Sequence, residues 1–586
     1  MATAKKAAKK TVKKSVKKVA SKTSGKAATR AASATAPKAA AKSASGPTST
    51  TASKAAGKAA PKATNKTAPK SAPKSASKAA SKTAGNTASK ATPKAASGPQ
   101  GIIDNVSVRM YRAGTGDCFL LRFRSGDTVV CRLMIDCGCI LGGRKDFEPI
   151  VKDIEDITGG VIDILVVTHE HADHINGFDR CKDLFDKFTF KKVWFAWTED
   201  EDEELANDLR ENHSKLKMAL AMATTQLTGL VKDKYYESLF ANEFQNSLMV
   251  RSKEYFIQSL ASLDSLNMAA APAANGTVPG MTQRFKEYNI IKEGTAVEYL
   301  SPGDLLKGPE LPELPGMRVF VLGPPKDTDL LDLTEEAGEH FEKRENPSDI
   351  GFAFAAALTK KGLTGSYLPF EPQFEDGEGL ALANLKADYD KTADWRRIDY
   401  DWLYTAGSLS LRYEGSINNT SLALAFQFEE SERVLLFPGD AEFGNWKSWH
   451  EGLNWTIEVK GQHKKVNAGY LLNNTVFYKI GHHCSQNGSA SRLGVDLMTH
   501  EDLVAMAPLS FKKIQTGWLN TMPNDLLCAS LIGKTKGHFY FSGDRGQLLP
   551  NIKTDRVTIK KAHEETLNAV NEKFDGKVYI ECGVKG

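Results

Sequence analysis

Three histidines and an aspartate lie within six consecutive residues of this sequence: His169, His171, Asp173 and His174. Imidazole nitrogens and carboxylate oxygens are the ligands that borderline divalent ions such as zinc prefer in proteins. Such an ion lowers the pKa of a bound water from 15.7 towards roughly 7, which makes hydroxide available at neutral pH. The types and spacing of these residues therefore predict metal-dependent hydrolysis.

An apolar run, Val161–Val167, comes directly before these ligands and predicts a buried strand. A strand that ends in a tight turn lets side chains converge on one point instead of alternating across a sheet. A helix is predicted at Phe147–Ile157, and strands followed by helices in this way indicate a layered α/β body. Further strands are predicted at Val106–Tyr111, Phe119–Phe123, Thr128–Ile135, Ala296–Leu300, Met317–Leu322, Ser421–Phe428, Val434–Phe437, Thr475–Ile480 and His538–Phe541.

The segment 169–174 has the pattern H-x-H-x-D-H and resembles the metal-binding signature of the metallo-β-lactamase superfamily without a mismatch. The resemblance implies an α/β fold, namely a four-layered αβ/βα metallo-β-lactamase sandwich with helical insertions. It also implies one hydrolase domain over residues 101–586, with an insertion at 181–410 between the signature and the next metal ligand.

Three further segments resemble superfamily elements and occur in the same order along the chain. Asp136 follows a predicted strand and matches an acidic residue that braces the metal loop. Asp440 lies in a strand-then-Gly-Asp element and matches the aspartate that bridges two metals. His482 and His483 follow the last of these strands; the resemblance favours His482 as the ligand and leaves His483 as the alternative.

Three short motifs are similar to those of the hydrolase domain of ComEC-type competence proteins. These motifs lie at residues 114–117, 418–422 and 482–485. Many superfamily members place another histidine on the strand before the bridging aspartate, but no histidine occurs between His340 and Asp440. ComEC-like domains generally lack this histidine too, and His483 could fill the gap.

The resemblance implies one or two divalent metal ions, with zinc favoured and manganese as the alternative. The predicted metal ligands are His169, His171, Asp173, His174, Asp440 and His482. Asp173 and His483 are the predicted catalytic residues, with Asp173 orienting the attacking water or taking its proton. Asp136, Asn419 and Ser485 are predicted to support the ligands. His483, Ser485 or Lys479 are candidates for donating hydrogen bonds to the substrate.

Residues 1–100 differ from the rest of the chain in charge. They hold 22 Lys and one Arg but no Asp or Glu, so all 71 acidic residues fall after residue 100. Because they contain no aromatic residue and little apolar content beyond alanine, a disordered basic tail is predicted. The tail is similar in composition to that of a linker histone and predicts sequence-nonspecific binding to nucleic-acid phosphates. The first lysines of this tail are Lys5, Lys6, Lys9, Lys10, Lys13, Lys14, Lys17 and Lys18.

Phosphodiester hydrolysis is the favoured reaction, because the tail would hold the enzyme on nucleic acid and raise its local concentration. A second hypothesis is a hydrolase of a small ester, lactone or thioester, whose tail serves only localisation. A third is a non-catalytic protein associated with a nucleoid or with chromatin. The intact metal signature and the Gly439-Asp440 pair favour the two enzymatic hypotheses.

The eight cysteines are scattered without the spacing of a disulfide framework, which predicts reduced thiols. No run of about 20 apolar residues is present to span a membrane, so no membrane partner is predicted. The predicted location is cytoplasmic, associated with the nucleoid, or nuclear if the source is eukaryotic.

Overall fold

The computed structural model describes residues 101–140, 142–211, 280–340, 417–510, 522–543 and 573–586. The predicted tail at 1–100 lies outside the described residues. So do residues 212–279 and 341–416, which form much of the predicted insertion.

Two seven-stranded sheets form the centre of the described part of the chain. The first contains, in spatial order, β16 (Tyr579–Lys585), β1 (Asn105–Tyr111), β2 (Phe119–Ser125), β3 (Thr128–Ile135), β4 (Val161–Val166), β5 (Thr189–Ala196) and β6 (Ala296–Leu300). The second contains β15 (Phe539–Phe541), β14 (Val504–Ala507), β13 (Thr475–Lys479), β10 (Val434–Phe437), β9 (Ala423–Phe428), β8 (Met317–Gly323) and β7 (Leu305–Lys307). A separate hairpin pairs β11 (Asn454–Val459) with β12 (Gln462–Asn467).

Each sheet is part antiparallel and part parallel. In the first sheet, β16, β1, β2 and β3 pair antiparallel, and β3 to β6 pair parallel. In the second, β7 to β10 pair antiparallel, and β10, β13, β14 and β15 pair parallel. The parallel strands β3, β4, β10 and β13 each end just before a predicted site residue, so the sheets themselves gather those residues.

The helices within the described ranges are mostly short. They are α1 (Arg144–Thr158), α2 (Ala172–Arg180), α3 (Lys182–Phe185), α4 (Met281–Glu287), α5 (Thr328–Leu331), α6 (Phe443–Glu451), α7 (Ala468–Asn473) and α8 (Asp525–Lys534). Residues 204–211 are also helical. The side chain of Asn524 caps α8 by accepting hydrogen bonds from Leu526 N and Leu527 N, which satisfies two otherwise unpaired donors. None of the described helices is long and apolar enough to cross a membrane.

Aromatic contacts hold the inner faces of the two sheets together. The rings of Phe123 and Phe426 lie 5.8 Å apart, and so do those of Phe119 and Phe437. All four side chains are buried, and full burial of such a side chain stabilises the fold by about 1.5–3 kcal/mol.

Helices cover the two outer faces of the sheets. Phe147 and Ile150 of α1 and Phe178 of α2 belong to a hydrophobic cluster on the outer face of the first sheet. Trp446 of α6 and Leu531 of α8 belong to another on the outer face of the second. The layers are therefore helix, sheet, sheet and helix, which confirms the predicted α/β sandwich.

Four strands fall within the predicted insertion at 181–410. Strands β5 and β6 belong to the first sheet, and β7 and β8 belong to the second. These four strands are therefore part of the two sheets of the sandwich. The eight cysteines are all free thiols, and seven of them are buried.

Candidate metal centre

The H-x-H-x-D-H segment lies at the end of β4 and runs into the first turn of α2. His171 has an extended backbone and comes directly before α2, so Asp173 and His174 project from the first turn of the helix. The Nε2 atom of His169 lies 3.0 Å from Nδ1 of His171. The rings of His169 and His174 are 4.1 Å apart between centroids. The strand end and the helix start thus bring the three imidazoles close together.

A short, strained turn after β10 presents Asp440. Gly439 has φ of 61°, and a Cβ atom at this position would lie 2.9 Å from Cβ of Ser421. Glycine is therefore required both for the left-handed backbone and for the close approach. The backbone N–H of Asp440 also donates to Oγ of Ser421 at 3.0 Å, which fixes the turn.

Four potential ligand atoms from three segments of the chain lie close together and form a converging set linked by three short contacts. Oδ2 of Asp440 lies 3.0 Å from Nε2 of His174 and 3.2 Å from Nε2 of His483. Oδ2 of Asp173 lies 2.8 Å from the same Nε2 of His483. Ligands about 2.0–2.1 Å from a tetrahedral zinc ion are separated by roughly 3.3 Å. Each of these three contacts is close to that separation.

The far sides of the two imidazoles have hydrogen-bond acceptors. Nδ1 of His174 lies 2.7 Å from Oδ2 of Asp136, and Nδ1 of His483 lies 3.1 Å from the carbonyl oxygen of Pro508. Asp136 also accepts hydrogen bonds from the backbone N–H and the hydroxyl of Thr168. With Nδ1 donating to these acceptors, Nε2 of each ring in its neutral form would direct its lone pair towards the converging set. Asp136, which the sequence predicts to support the ligands, therefore contacts both Thr168 and His174.

The adjacent residue His482 has different neighbours from His483. Its Nδ1 lies 3.5 Å from Oε1 of Glu442, and its Nε2 lies 3.4 Å from Nδ2 of Asn418. His482, His483 and Cys484 have φ of 43°, 50° and 67°, so the backbone is left-handed at three successive residues. Each such residue costs about 1–2 kcal/mol. Of the two histidines, His483 lies within the converging set, whereas the sequence favoured His482.

The two remaining predicted supporting residues differ in position. Asn419 is fully buried, and its Oδ1 accepts a hydrogen bond from the backbone N–H of Glu442 at 3.0 Å. It thereby holds the turn that carries Asp440. The hydroxyl of Ser485 donates to Oδ1 of Asn487 at 2.8 Å and so is directed to a neighbour on its own loop.

Two residues without a predicted role as ligand or support also lie at the centre. Asp117 belongs with His174, Asp440 and His483 to a buried group whose potential ligand atoms lie within 4.8 Å of one another. Lys479 is buried and contacts both Asp117 and Asp440. In the sequence, Lys479 could have been noticed as a charged residue at the end of an otherwise apolar strand. Asp117 could have been noticed as an acidic residue in a glycine-rich segment.

The buried carboxylates of the centre need positive charge close to them. Burial lowers the pKa of His483, but Asp440 and Asp173 outweigh burial and raise the pKa to about 10. Burial raises the pKa of Asp440, but Lys479 and the imidazoles hold it well below the usual value. The pKa of His482, by contrast, is lowered to about 4, mainly by burial. In the absence of a metal, protonated His483 thus compensates the carboxylates, a role that a divalent cation would take over.

The donor set fits such a cation. Nε2 of His171 is buried and makes no hydrogen bond within the described part of the chain. Buried polar atoms are normally paired, so an unpaired imidazole nitrogen beside acidic groups is a suitable ligand for a metal. Nitrogen and oxygen donors of this kind suit zinc, and also manganese.

A close contact between two loops offers a test of this geometry. A Cβ atom on Gly138 would lie 2.1 Å from the carbonyl carbon of Asp173 and 2.2 Å from N of His174. Because backbone atoms cannot give way cheaply, Gly138→Ala should displace the first turn of α2 and cost about 1–3 kcal/mol of stability. We expect at least a tenfold loss of metal affinity, measured by competition with a chelating dye. Gly452→Ala is the matched control, since nothing lies within 4 Å of its added Cβ. Equal metal affinity of the two variants would contradict the geometry.

Part of the chain matches a known protein family. The family model described as the metallo-beta-lactamase superfamily matches residues 111–191. This stretch runs from the end of β1 into β5 and includes the H-x-H-x-D-H segment, Asp117 and Asp136. No curated protein matches the chain closely enough to count as a relative.

Proposed function

Because residues 111–191 form part of a metallo-beta-lactamase superfamily domain, we propose that this metal-dependent hydrolase cleaves phosphodiester bonds in nucleic acid. One observation carries the catalytic part of the proposal: Oδ2 of Asp440 lies within hydrogen-bond distance of Nε2 of both His174 and His483, and Oδ2 of Asp173 lies within that distance of Nε2 of His483. The strongly basic composition of residues 1–100 supports nucleic acid as the substrate.

The roles of the residues follow from their positions. His174, Asp173, His483 and Asp440 would hold one divalent ion, and His169 with His171 would hold a second beside it. A bound divalent ion supplies an activated water and stabilises negative charge on phosphoryl oxygens. Asp173 lies at the edge of the donor set, where its carboxylate would orient the attacking water or accept its proton. Asp136 and the carbonyl of Pro508 would keep the two imidazoles in the tautomer that binds metal.

The charge distribution bears on the substrate. The chain after residue 100 has more acidic than basic residues and would repel a polyanion. A lysine-rich tail binds phosphates by releasing counterions and needs no sequence readout. Tethering through the tail would then raise the local concentration of nucleic acid at the metal centre. The proposed location is therefore the cytoplasm in association with the nucleoid, or the nucleus if the source is eukaryotic.

A panel of substrates tests the proposal. The full chain, loaded with zinc or manganese, is assayed on plasmid DNA, single-stranded DNA, RNA, a bis-aryl phosphodiester and a small carboxylic ester. We expect cleavage of at least one nucleic acid and of the phosphodiester, abolished by a chelator and strongly reduced in Asp173→Asn. Turnover of the ester alone would favour the small-ester hydrolase. Failure to bind any metal would favour a non-catalytic protein.

A further inference from the structure

Lys479 is the last residue of β13 and is buried, with 1% of its side chain exposed. Its ammonium group lies 2.6 Å from Oδ2 of Asp117, 2.8 Å from Oδ1 of Asp440 and 2.7 Å from the carbonyl oxygen of Gly439. A lysine has three N–H donors, and three acceptors surround this one. All three N–H groups of Lys479 are therefore taken up by these acceptors, and none is left to donate a hydrogen bond to the substrate.

We propose that Lys479 is the positioning residue of the metal centre: anchored by Asp117, it fixes Asp440 so that Oδ2 alone faces the metal. This inference rests on the proposed function, because it assumes that Asp440 binds a metal. It assigns to Lys479 and Asp117 a role that neither the family match nor the ligand pattern implies.

The two oxygens of Asp440 have separate partners. Oδ1 accepts from the ammonium of Lys479 and from the backbone N–H of His482, at 2.8 and 3.1 Å. Oδ2 lies 3.0 and 3.2 Å from Nε2 of His174 and His483. With Oδ1 held by two donors, rotation of the carboxylate would break charge-assisted hydrogen bonds in a buried environment. Oδ2 is thereby aimed at the ligand set before any metal arrives.

Asp117 connects this arrangement to the H-x-H-x-D-H segment. Its backbone N–H donates to the carbonyl oxygen of Asp173 at 3.0 Å. Its carboxylate lies 3.8 Å from Nδ1 of both His174 and His483, whereas Asp440 lies near the Nε2 atoms of the same rings. A single carboxylate thus anchors Lys479 and adjoins both imidazoles. Residues that orient metal ligands typically change metal affinity or activity 10–100-fold when replaced.

The competing explanation is that Lys479 only balances buried negative charge. The double variant Asp117→Asn/Lys479→Met separates the two explanations, because it removes one negative and one positive charge and keeps the net charge of the centre. Removing one partner of a buried ion pair is strongly destabilising, whereas replacing both partners is often close to neutral. The double variant should therefore fold where Lys479→Met alone would not.

The experiment measures zinc affinity by competition with a chelating dye, with thermal unfolding of the metal-free protein as the folding control. We expect the double variant to remain folded and to bind zinc 10–100-fold more weakly than the wild type. An unchanged affinity in the folded double variant would overturn the positioning role. A wild-type protein that binds no zinc would instead overturn the proposed function.

A second comparison tests the same proposal if the double variant with methionine does not fold. Asp117→Asn/Lys479→Gln is compared with Asp117→Asn alone, so that the only change is the loss of one positive charge and a weaker hold on Asp440. Charge balance predicts tighter zinc binding on loss of the lysine, since a cation is less repelled. Positioning predicts weaker binding. Tighter binding in the glutamine variant would refute the proposal.

Discussion

Replacing His483 by alanine is expected to remove the bound metal and to lower turnover of a phosphodiester by about 10³-fold. The reason is that Nε2 of His483 lies 2.8 Å from Asp173 and 3.2 Å from Asp440, at the point where the donor atoms converge. A metal ion contributes several kcal/mol to stabilising the transition state, and each 1.36 kcal/mol is about tenfold in rate. Elemental analysis after dialysis measures the metal, and initial rates measure the turnover.

The neighbouring His482 provides the matched control. His482→Ala removes an identical side chain from the same turn, but its ring lies beside Glu442 and Asn418 rather than in the converging set. We expect His482→Ala to retain its metal through the same dialysis. If His482→Ala loses the metal and His483→Ala keeps it, the ligand is His482, as the sequence favoured.

Removing residues 1–100 is expected to abolish salt-sensitive retention of the protein on DNA. A polycation that makes 6–10 phosphate contacts loses roughly 10³–10⁵ in affinity between 50 and 200 mM salt, because it releases condensed counterions. The full chain should show this steep salt dependence, and residues 101–586 alone should show almost none. DNA-binding titrations at several salt concentrations measure the slope.

Two controls separate tethering from catalysis. Turnover of a bis-aryl phosphodiester should be the same with and without the tail, because that substrate needs no tether. Replacing the first eight lysines of the tail by glutamine should lower the salt slope by several units while keeping the length of the chain. Equal DNA retention by the shortened and full chains would refute the tether and leave the metal centre unaffected.

The sequence predicted much of the sheet structure, because buried strands have a local signature. The strands at Ala296–Leu300 and Val434–Phe437 have the predicted bounds, and β4 ends one residue before the predicted bound. The sequence did not predict strands β5, β7, β11, β12, β14 and β16. In β5, two lysines interrupt the apolar run, and β16 is only partly buried, so neither segment has the continuous apolar pattern of an inner strand.

By itself the sequence predicted the sandwich and the pattern in residues 111–191 that matches the metallo-beta-lactamase superfamily model. It also named Asp173, His174 and Asp440 as metal ligands. It could do so because ligands at strand ends are marked by local patterns. Only the tertiary structure decided which of two adjacent histidines joins the donor set, since the left-handed backbone at residues 482–484 depends on packing of that loop. The contact of Lys479 with Asp117 and Asp440 was likewise visible only in the tertiary structure. Ion pairs between residues far apart in the chain produce no local sequence pattern.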